Sequence, residues 1–328
     1  MKKFINELDN IEAEMVRGLV RSKAHMLRQL PDSNVVVRTQ KKRERVAVLF
    51  GCGSGHEPAP CGYVGYGMLD AAVPGSIFSS PTPDQILKGI REVASESGVL
   101  CILVNYTGDV LNFRMAIQMA QMEGIAVDSV VVADDVASDT GKATGRRGLA
   151  GAILINKIAG AEAEMGVGLY EVKETAEWAT AGLRTIGVAS SPCIVPEEGK
   201  PSFELGDNEM EVGMGLHGEP GIMRAPMRSA EATARDMLDR LLADYKYKGC
   251  EVVVLINGLG GTPVMELYII NDFVGRYLAE HDVEVYDTMI GNYMTSMEMK
   301  GFSISLMRVD PHLKALYDAP ARTAALCR

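Results

Sequence analysis

Strand-like and helix-like segments alternate along this chain. The alternation and the length predict an α/β protein of two domains or one large one; a second half begins near residue 185, and the division into 1–184 and 185–328 gives each part a central, mostly parallel or mixed sheet flanked by helices. Three observations carry the prediction. Short continuous apolar runs, such as Val46-Ala47-Val48-Leu49-Phe50, break into glycine, as strands buried on both faces do before a loop. Segments with apolar residues at helical spacing lie between them. With 328 residues, 47% hydrophobic and 23% charged, the chain has enough apolar side chains for two cores and too many for disorder.

The elements follow in order. Residues 7–30 read as a helix, with Ile11, Met15, Leu19 and Met26 on one face. The run 46–50 is the first buried strand. Thr82-Pro83-Asp84-Gln85 opens a helix to about residue 97, with Thr82 as cap and Pro83 in the first turn. Val99 to Val104 is the next strand and runs into Asn105-Tyr106-Thr107-Gly108-Asp109. A helix at about 111–123, a strand at 128–133 and helices at about 148–162 and 170–181 complete the first half. The Pro/Gly-rich stretch 191–201 is the linker candidate. Glu211 to Leu216 places Val212, Met214 and Leu216 at period two, a half-buried strand leading to His217. A helix at 229–246, a buried strand at 252–256, a helix after Pro263, and strands at 283–288 and 302–308 close the second half.

Bulk properties exclude several classes of function. A formal charge of −10 argues against nucleic acid or an anionic membrane as the main partner. The opening Met1-Lys2-Lys3-Phe4-Ile5-Asn6-Glu7 lacks the apolar core of a signal peptide, and no apolar run approaches a membrane span, so a cytoplasmic protein is expected. The six cysteines form no C-x-x-C pair and read as reduced thiols.

Two of the five histidines stand in near-matching settings, Gly53-Ser54-Gly55-His56-Glu57-Pro58 and Gly215-Leu216-His217-Gly218-Glu219-Pro220-Gly221. Imidazole is a base, a nucleophile and a metal ligand near neutral pH. Neighbouring glycines let backbone and substrate come close, so the pair reads as two walls of one site. The nearby motifs fail other tests. Gly51-Cys52-Gly53-Ser54-Gly55-His56 has histidine where a dinucleotide fingerprint needs its third glycine. Lys142 and Lys200 each follow a glycine without the rest of a phosphate loop. Ser54 is flanked two residues away by Cys52 and His56 instead of the glycines of a nucleophile elbow. No helical histidine pair suggests zinc, and no metal is assigned, a metal bridging His56 and His217 being the remaining variant.

In an open parallel sheet, ligands sit beyond the carboxyl ends of the strands. His56 follows the strand at 46–50 and Asp109 the strand at 99–104, so both face one crevice. There Gly53 and Gly55 would expose backbone N–H groups to hydroxyl or carbonyl oxygens. Asp109 reads equally as the cap of the helix that follows.

At these residues the chain resembles the substrate-binding subunits of bacterial dihydroxyacetone kinases. The resemblance runs through Gly53 to Ala59, Ser80-Pro81-Thr82-Pro83-Asp84-Gln85, Asn105 to Phe113, Thr144-Gly145-Arg146-Arg147-Gly148, His217 to Gly221, Ile256 to Gly260 and Gly291 to Ser296, and covers essentially the whole chain. It implies a two-domain α/β homodimer. It also implies that a short ketose, dihydroxyacetone, is bound covalently through its carbonyl carbon to an imidazole nitrogen of His217. His56 and Asp109 would hold the substrate's hydroxyls and act in acid–base chemistry, with Gly53, Ser54, Gly55 and His56 lining the pocket. The chain would carry no cofactor. Nucleotide and Mg²⁺ would arrive on a partner kinase subunit recharged through the sugar phosphotransferase system. The chemistry is coherent: a neutral imidazole adds to a ketone, whereas glycerol, having no carbonyl, cannot be captured.

The chain departs from the family pattern at Val104, where the family usually has a substrate-touching lysine. It also departs at Cys52, at Pro60-Cys61 and at Arg114. Losing the lysine removes a cation from the pocket rim. Three consequences are open: a slower kinase, a kinase for another short ketose, or a ligand-binding co-activator without kinase activity.

Overall fold

The computed structural model describes residues 2–40, 44–138 and 145–328. The chain forms two compact units. The first comprises Met1–Val132, Leu154–Trp178 and Ala315–Arg328, and the second Ala133–Ile153 and Ala179–Lys314. The expected division at 184/185 was a single cut, whereas the chain here passes between units at four points. Residues 191–201, the linker candidate, lie inside the second unit and include a small hairpin.

The first unit begins with α1 (Ile11–Ser22), β1 (Leu27–Gln29) and β2 (Val36–Arg38). The helix is shorter than the apolar spacing suggests: only Val16 is buried, and the chain leaves helical geometry at Lys23. Then come β3 (Ala47–Ser54), β4 (Ala71–Ile77), α2 (Pro83–Val93), β5 (Val99–Val104), α3 (Thr107–Met122) and β6 (Val127–Val132). The sheet order is β1-β2-β4-β3-β5-β6, parallel from β4 to β6 with an antiparallel pair at the edge. Every residue of β3 and β5 is buried, which is why both read as unbroken apolar runs rather than alternating ones. Helices α2 and α3 set Ile86, Ile90, Phe113 and Ala120 into the same core as Leu49, Val73 and Leu103. Pro83 is at the first turn of α2 as expected, but the Thr82 hydroxyl caps no backbone N–H and bonds the Asp84 carboxylate instead.

The strand order matters most for function. From β3 the chain steps to β4 on one side and then returns to β5 on the other, so β3 lies at a switch point of the sheet. In such sheets the crevice opens beyond the carboxyl ends of the strands flanking the switch.

A buried charge cluster supports the base of this sheet. Asp70 accepts from Arg45 Nη2 at 2.6 Å and from the Val48 N–H at 2.9 Å, and Glu164 accepts from Arg38 Nη1 at 2.8 Å. Removing one partner strands a buried charge. Asp70→Ala is therefore expected to lower unfolding free energy by about 3–5 kcal/mol in urea titrations. A loss below about 1 kcal/mol would show the cluster to be dispensable.

The next helices are α4 (Ala152–Glu164) and α5 (Leu169–Ala181). The second unit holds β7 (Leu183–Ser191), the hairpin β8 (Ile194–Val195) and β9 (Lys200–Pro201), β10 (Glu209–Val212), β11 (Met223–Pro226) and α6 (Ala230–Asp244). Then follow β12 (Glu251–Gly258), α7 (Val264–Glu280), β13 (Glu284–Gly291) and β14 (Lys300–Val309), and α8 (Pro311–Asp318) leads back to the first unit. The main sheet is mixed, in the order β11-β10-β7-β14-β12-β13, and only β12 and β13 pair in parallel. Its core joins Val252, Val254, Ile256 and Ile304 to Leu238 and Leu241 of α6 and to Leu267, Ile270 and Val274 of α7.

Among the described residues no helix is long and apolar enough to cross a membrane. Four cysteines are buried, Cys250 is half-buried and Cys327 exposed, all as free thiols.

Candidate active site

In the first unit the switch point brings His56 and Asp109 to the ends of adjacent strands. Gly51 of β3 pairs with Leu103 of β5, so the segments that leave the two strands emerge side by side. His56 is 1% exposed, and its ring stacks on Phe78 at 5.2 Å between centroids. Phe78 sits in the turn after β4 with φ of 54°, and its N–H donates to the Ser54 carbonyl at 2.9 Å. That turn lies against β3 because residue 53 is glycine: a Cβ there would stand 2.8 Å from the Ser79 nitrogen. The turn continues to Ser80, which packs against Gly108 at the start of α3, and Asn112 Nδ2 donates to the Pro81 carbonyl at 2.9 Å. Asp109, 3% exposed, is thus seated in the first turn of a firmly held helix.

Several expectations are corrected here. Helix α3 starts at Thr107, not near 111, so Tyr106 and not Asp109 occupies the cap position. The Gly55 N–H is not offered to a ligand. It donates to both carboxylate oxygens of Glu57, at 3.2 and 3.1 Å. Ser54 Oγ donates to the Gly75 carbonyl at 2.7 Å, which ties β3 to β4. Gly53 serves the close approach of the turn just described. Val104 is buried at the end of β5, so it brings no polar atom to the rim. Cys52 and Cys61 are buried, and burial pushes both thiols up; the charges of Asp109 and Glu57 push Cys52 further. Neither is poised as a thiolate.

His217 belongs to the second unit. The strand expected at 211–216 ends at Val212, because Gly213 turns the chain with φ of 78°. His217 therefore rides on the loop that joins β10 to β11. This loop is heavily tied. The Arg147 guanidinium, paired with buried Asp135, donates to the Gly213 carbonyl at 2.7 Å. The Gly221 N–H donates to Glu211 at 2.8 Å, and the Ser296 hydroxyl donates to the Leu216 carbonyl. Glu219 folds back on the histidine. Its Oε1 is 2.7 Å from His217 Nδ1, and its Oε2 accepts the His217 backbone N–H at 2.9 Å. The His217 side chain is 21% exposed, so it is both fixed and reachable.

Burial raises the Glu219 carboxyl, but hydrogen bonds and charge from His217 outweigh it and bring it down to about 2. A carboxyl depressed from 4.5 in this way stabilises the folded state fully above pH 4.5 and loses that contribution as pH falls through about 2. The Glu219 carboxyl is therefore expected to stay ionised as pH falls through 4.5 and to take its proton only towards pH 2, followed by NMR at its own side chain. A shift centred at pH 4.5 or above would contradict the pairing.

The tethering roles of Arg147, Asp135, Ser296, Phe78 and Glu219 were not read from the sequence, although Arg147 and Ser296 lie in strings that carry the resemblance and Glu219 is an acid two residues beyond histidine in a glycine-framed turn. Among the described residues no group of three His, Cys, Asp or Glu side chains could hold a metal ion.

Acid–base groups beyond the carboxyl ends of strands at a sheet switch point are the arrangement by which α/β enzymes take small polar substrates. The family model that matches is the Dak1 domain, over residues 17–325. The chain is 46% identical over 312 residues to the dihydroxyacetone-binding subunit DhaK of the PTS-dependent dihydroxyacetone kinase 1 of Listeria innocua, covering 94% of this chain and 95% of that one. Among solved structures it matches the dihydroxyacetone kinase operon co-activator DhaQ with a TM-score of 0.91 and 36% identity over 98% of both chains. It also matches the C. freundii dihydroxyacetone kinase in complex with AMP-PNP and Mg²⁺, with a TM-score of 0.89, 34% identity, and coverage of 98% of this chain and 60% of that one. The chain belongs to the Dak1 family of dihydroxyacetone kinase subunits.

Proposed function

We propose that this chain is the substrate-binding subunit of a dihydroxyacetone kinase that captures the ketone covalently on His217. The observation that carries this reading is the His217 loop: a partly exposed imidazole held by tethers from three other segments of its unit. A nucleophile held in one orientation reacts without first losing conformational freedom. His56, buried and stacked, is unsuited to covalent attack and suited to holding a hydroxyl and stabilising charge. Asp109 is assigned as the base that takes the proton of the attacking hydroxyl. The phosphoryl donor would come on a nucleotide-bearing partner subunit recharged through the phosphotransferase system. In support, the C. freundii structure bound to AMP-PNP and Mg²⁺ has a chain of which this one matches only 60%. The homodimer belongs to the same reading. One helix face exposes Val264, Met265, Tyr268 and Ile269 for a second copy, and light scattering would distinguish one 35.4 kDa chain from two.

The likeness to the co-activator DhaQ, together with Val104, favours a second reading: the same capture in a ligand sensor without turnover. Both readings predict an adduct, so turnover decides between them. The chain is mixed with a phosphoryl-charged nucleotide-bearing partner and offered trioses and tetroses. A phosphorylated product supports the kinase; none from any of these ketoses leaves the sensor.

A further inference from the structure

The two histidine motifs share a Glu-Pro tail, but the two carboxylates are used differently. Glu57 places both oxygens on the Gly55 N–H, whereas Glu219 places one on the His217 ring and the other on the His217 backbone. We propose that Glu219 is a positioning residue that holds His217 as the Nδ1–H tautomer and so aims the Nε2 lone pair at the substrate carbonyl. The inference rests on the reading of His217 as the capturing nucleophile.

An ionised carboxylate accepts and cannot donate. The ring nitrogen facing it must therefore carry the hydrogen, and the other nitrogen of a neutral ring must carry the lone pair. Hydrogen bonds and charge from His217 keep Glu219 a carboxylate, so wherever the ring is neutral its hydrogen stays on Nδ1. The carboxylate cannot easily rotate away, since both oxygens bond the same residue. Gly215 is kept small for it: a Cβ at 215 would lie 2.2 Å from Glu219 Oε2. The loop tethers described above keep this arrangement in register.

The capture step then balances. Nε2 donates its pair to the carbonyl carbon, the C=O π pair moves onto oxygen, and that oxygen takes one proton from solvent. The ring becomes an N-substituted imidazolium that keeps its Nδ1–H, and its positive charge forms directly against the Glu219 carboxylate. Release reverses each movement. This is the division of labour of an acid–imidazole pair in which the acid orients the ring and stabilises its cation without taking the proton.

The test uses the full chain labelled with ¹⁵N-histidine, with His217→Ala to assign the ring signals. Wild type is expected to show a protonated Nδ1 and an unprotonated Nε2 at His217 at pH 8. Glu219→Ala should mix the tautomers and slow adduct formation about 10- to 100-fold, read as loss of the carbonyl signal of [2-¹³C]dihydroxyacetone. Glu219→Gln, which keeps an acceptor for Nδ1–H but no charge, should keep the tautomer and restore part of the rate; a purely structural role predicts no such split. A wild-type proton on Nε2, or Glu219→Ala with unchanged tautomer and rate, overturns the proposal. A Glu219-dependent Nδ1–H in a chain that never forms an adduct upholds the positioning and instead refutes the covalent reading of His217.

Discussion

His217→Ala is expected to abolish covalent capture of dihydroxyacetone and to lower turnover about 10³-fold or more, because the other glycine-framed imidazole, His56, is buried against Phe78. The ring is partly exposed and its main partner is Glu219 at the same surface, so its loss should leave the fold intact. The melting temperature is expected to move by no more than a few degrees. Intact-mass measurement with and without the ketone reads the adduct directly. An adduct that survives the substitution removes His217 from its assigned role, whatever happens to turnover.

Asp109→Asn is expected to divide the reaction into its two stages. The adduct on His217 should form at close to the normal level, while phosphoryl transfer falls by about 10²–10⁴-fold, the usual contribution of a positioned base. Asparagine matches aspartate in shape, so the first turn of α3 and its seat against Ser80 should persist. Single-turnover transfer measured with the charged partner subunit, alongside intact mass, gives both numbers on one sample. Unchanged transfer would exclude Asp109 as the base; loss of the adduct as well would make it a binding residue.

Strong local signals made much of the fold legible. The unbroken apolar runs at 46–50, 99–104 and 252–256 lie in buried strands, but the first strand runs on through Gly51 and Gly53 to Ser54 instead of breaking at the glycine. Errors gathered where a local rule met a tertiary one. The 7–30 segment carries helical spacing but buries only Val16 in its helix, so the chain turns away at Lys23 to pair β1 with β2. Thr82 has the right type for a cap, yet its hydroxyl goes to Asp84. Alternation ran on through Leu216, but Gly213 ended the strand four residues earlier. The linker candidate at 191–201 had linker composition and formed a hairpin.

The glycine-framed histidines and the acid after the second apolar run could be picked out from residue types alone, because their chemistry is a property of the side chain and its immediate neighbours. Which histidine is buried and which is reachable could not. That depends on Phe78 covering His56 from the turn after β4, and on Arg147 and Ser296 reaching the His217 loop from far along the chain. Nor could the sequence order the strands. The step from β3 to β4 and back to β5, which sets His56 beside Asp109, is chosen by how whole strands and helices share a core, and that energy belongs to no single segment.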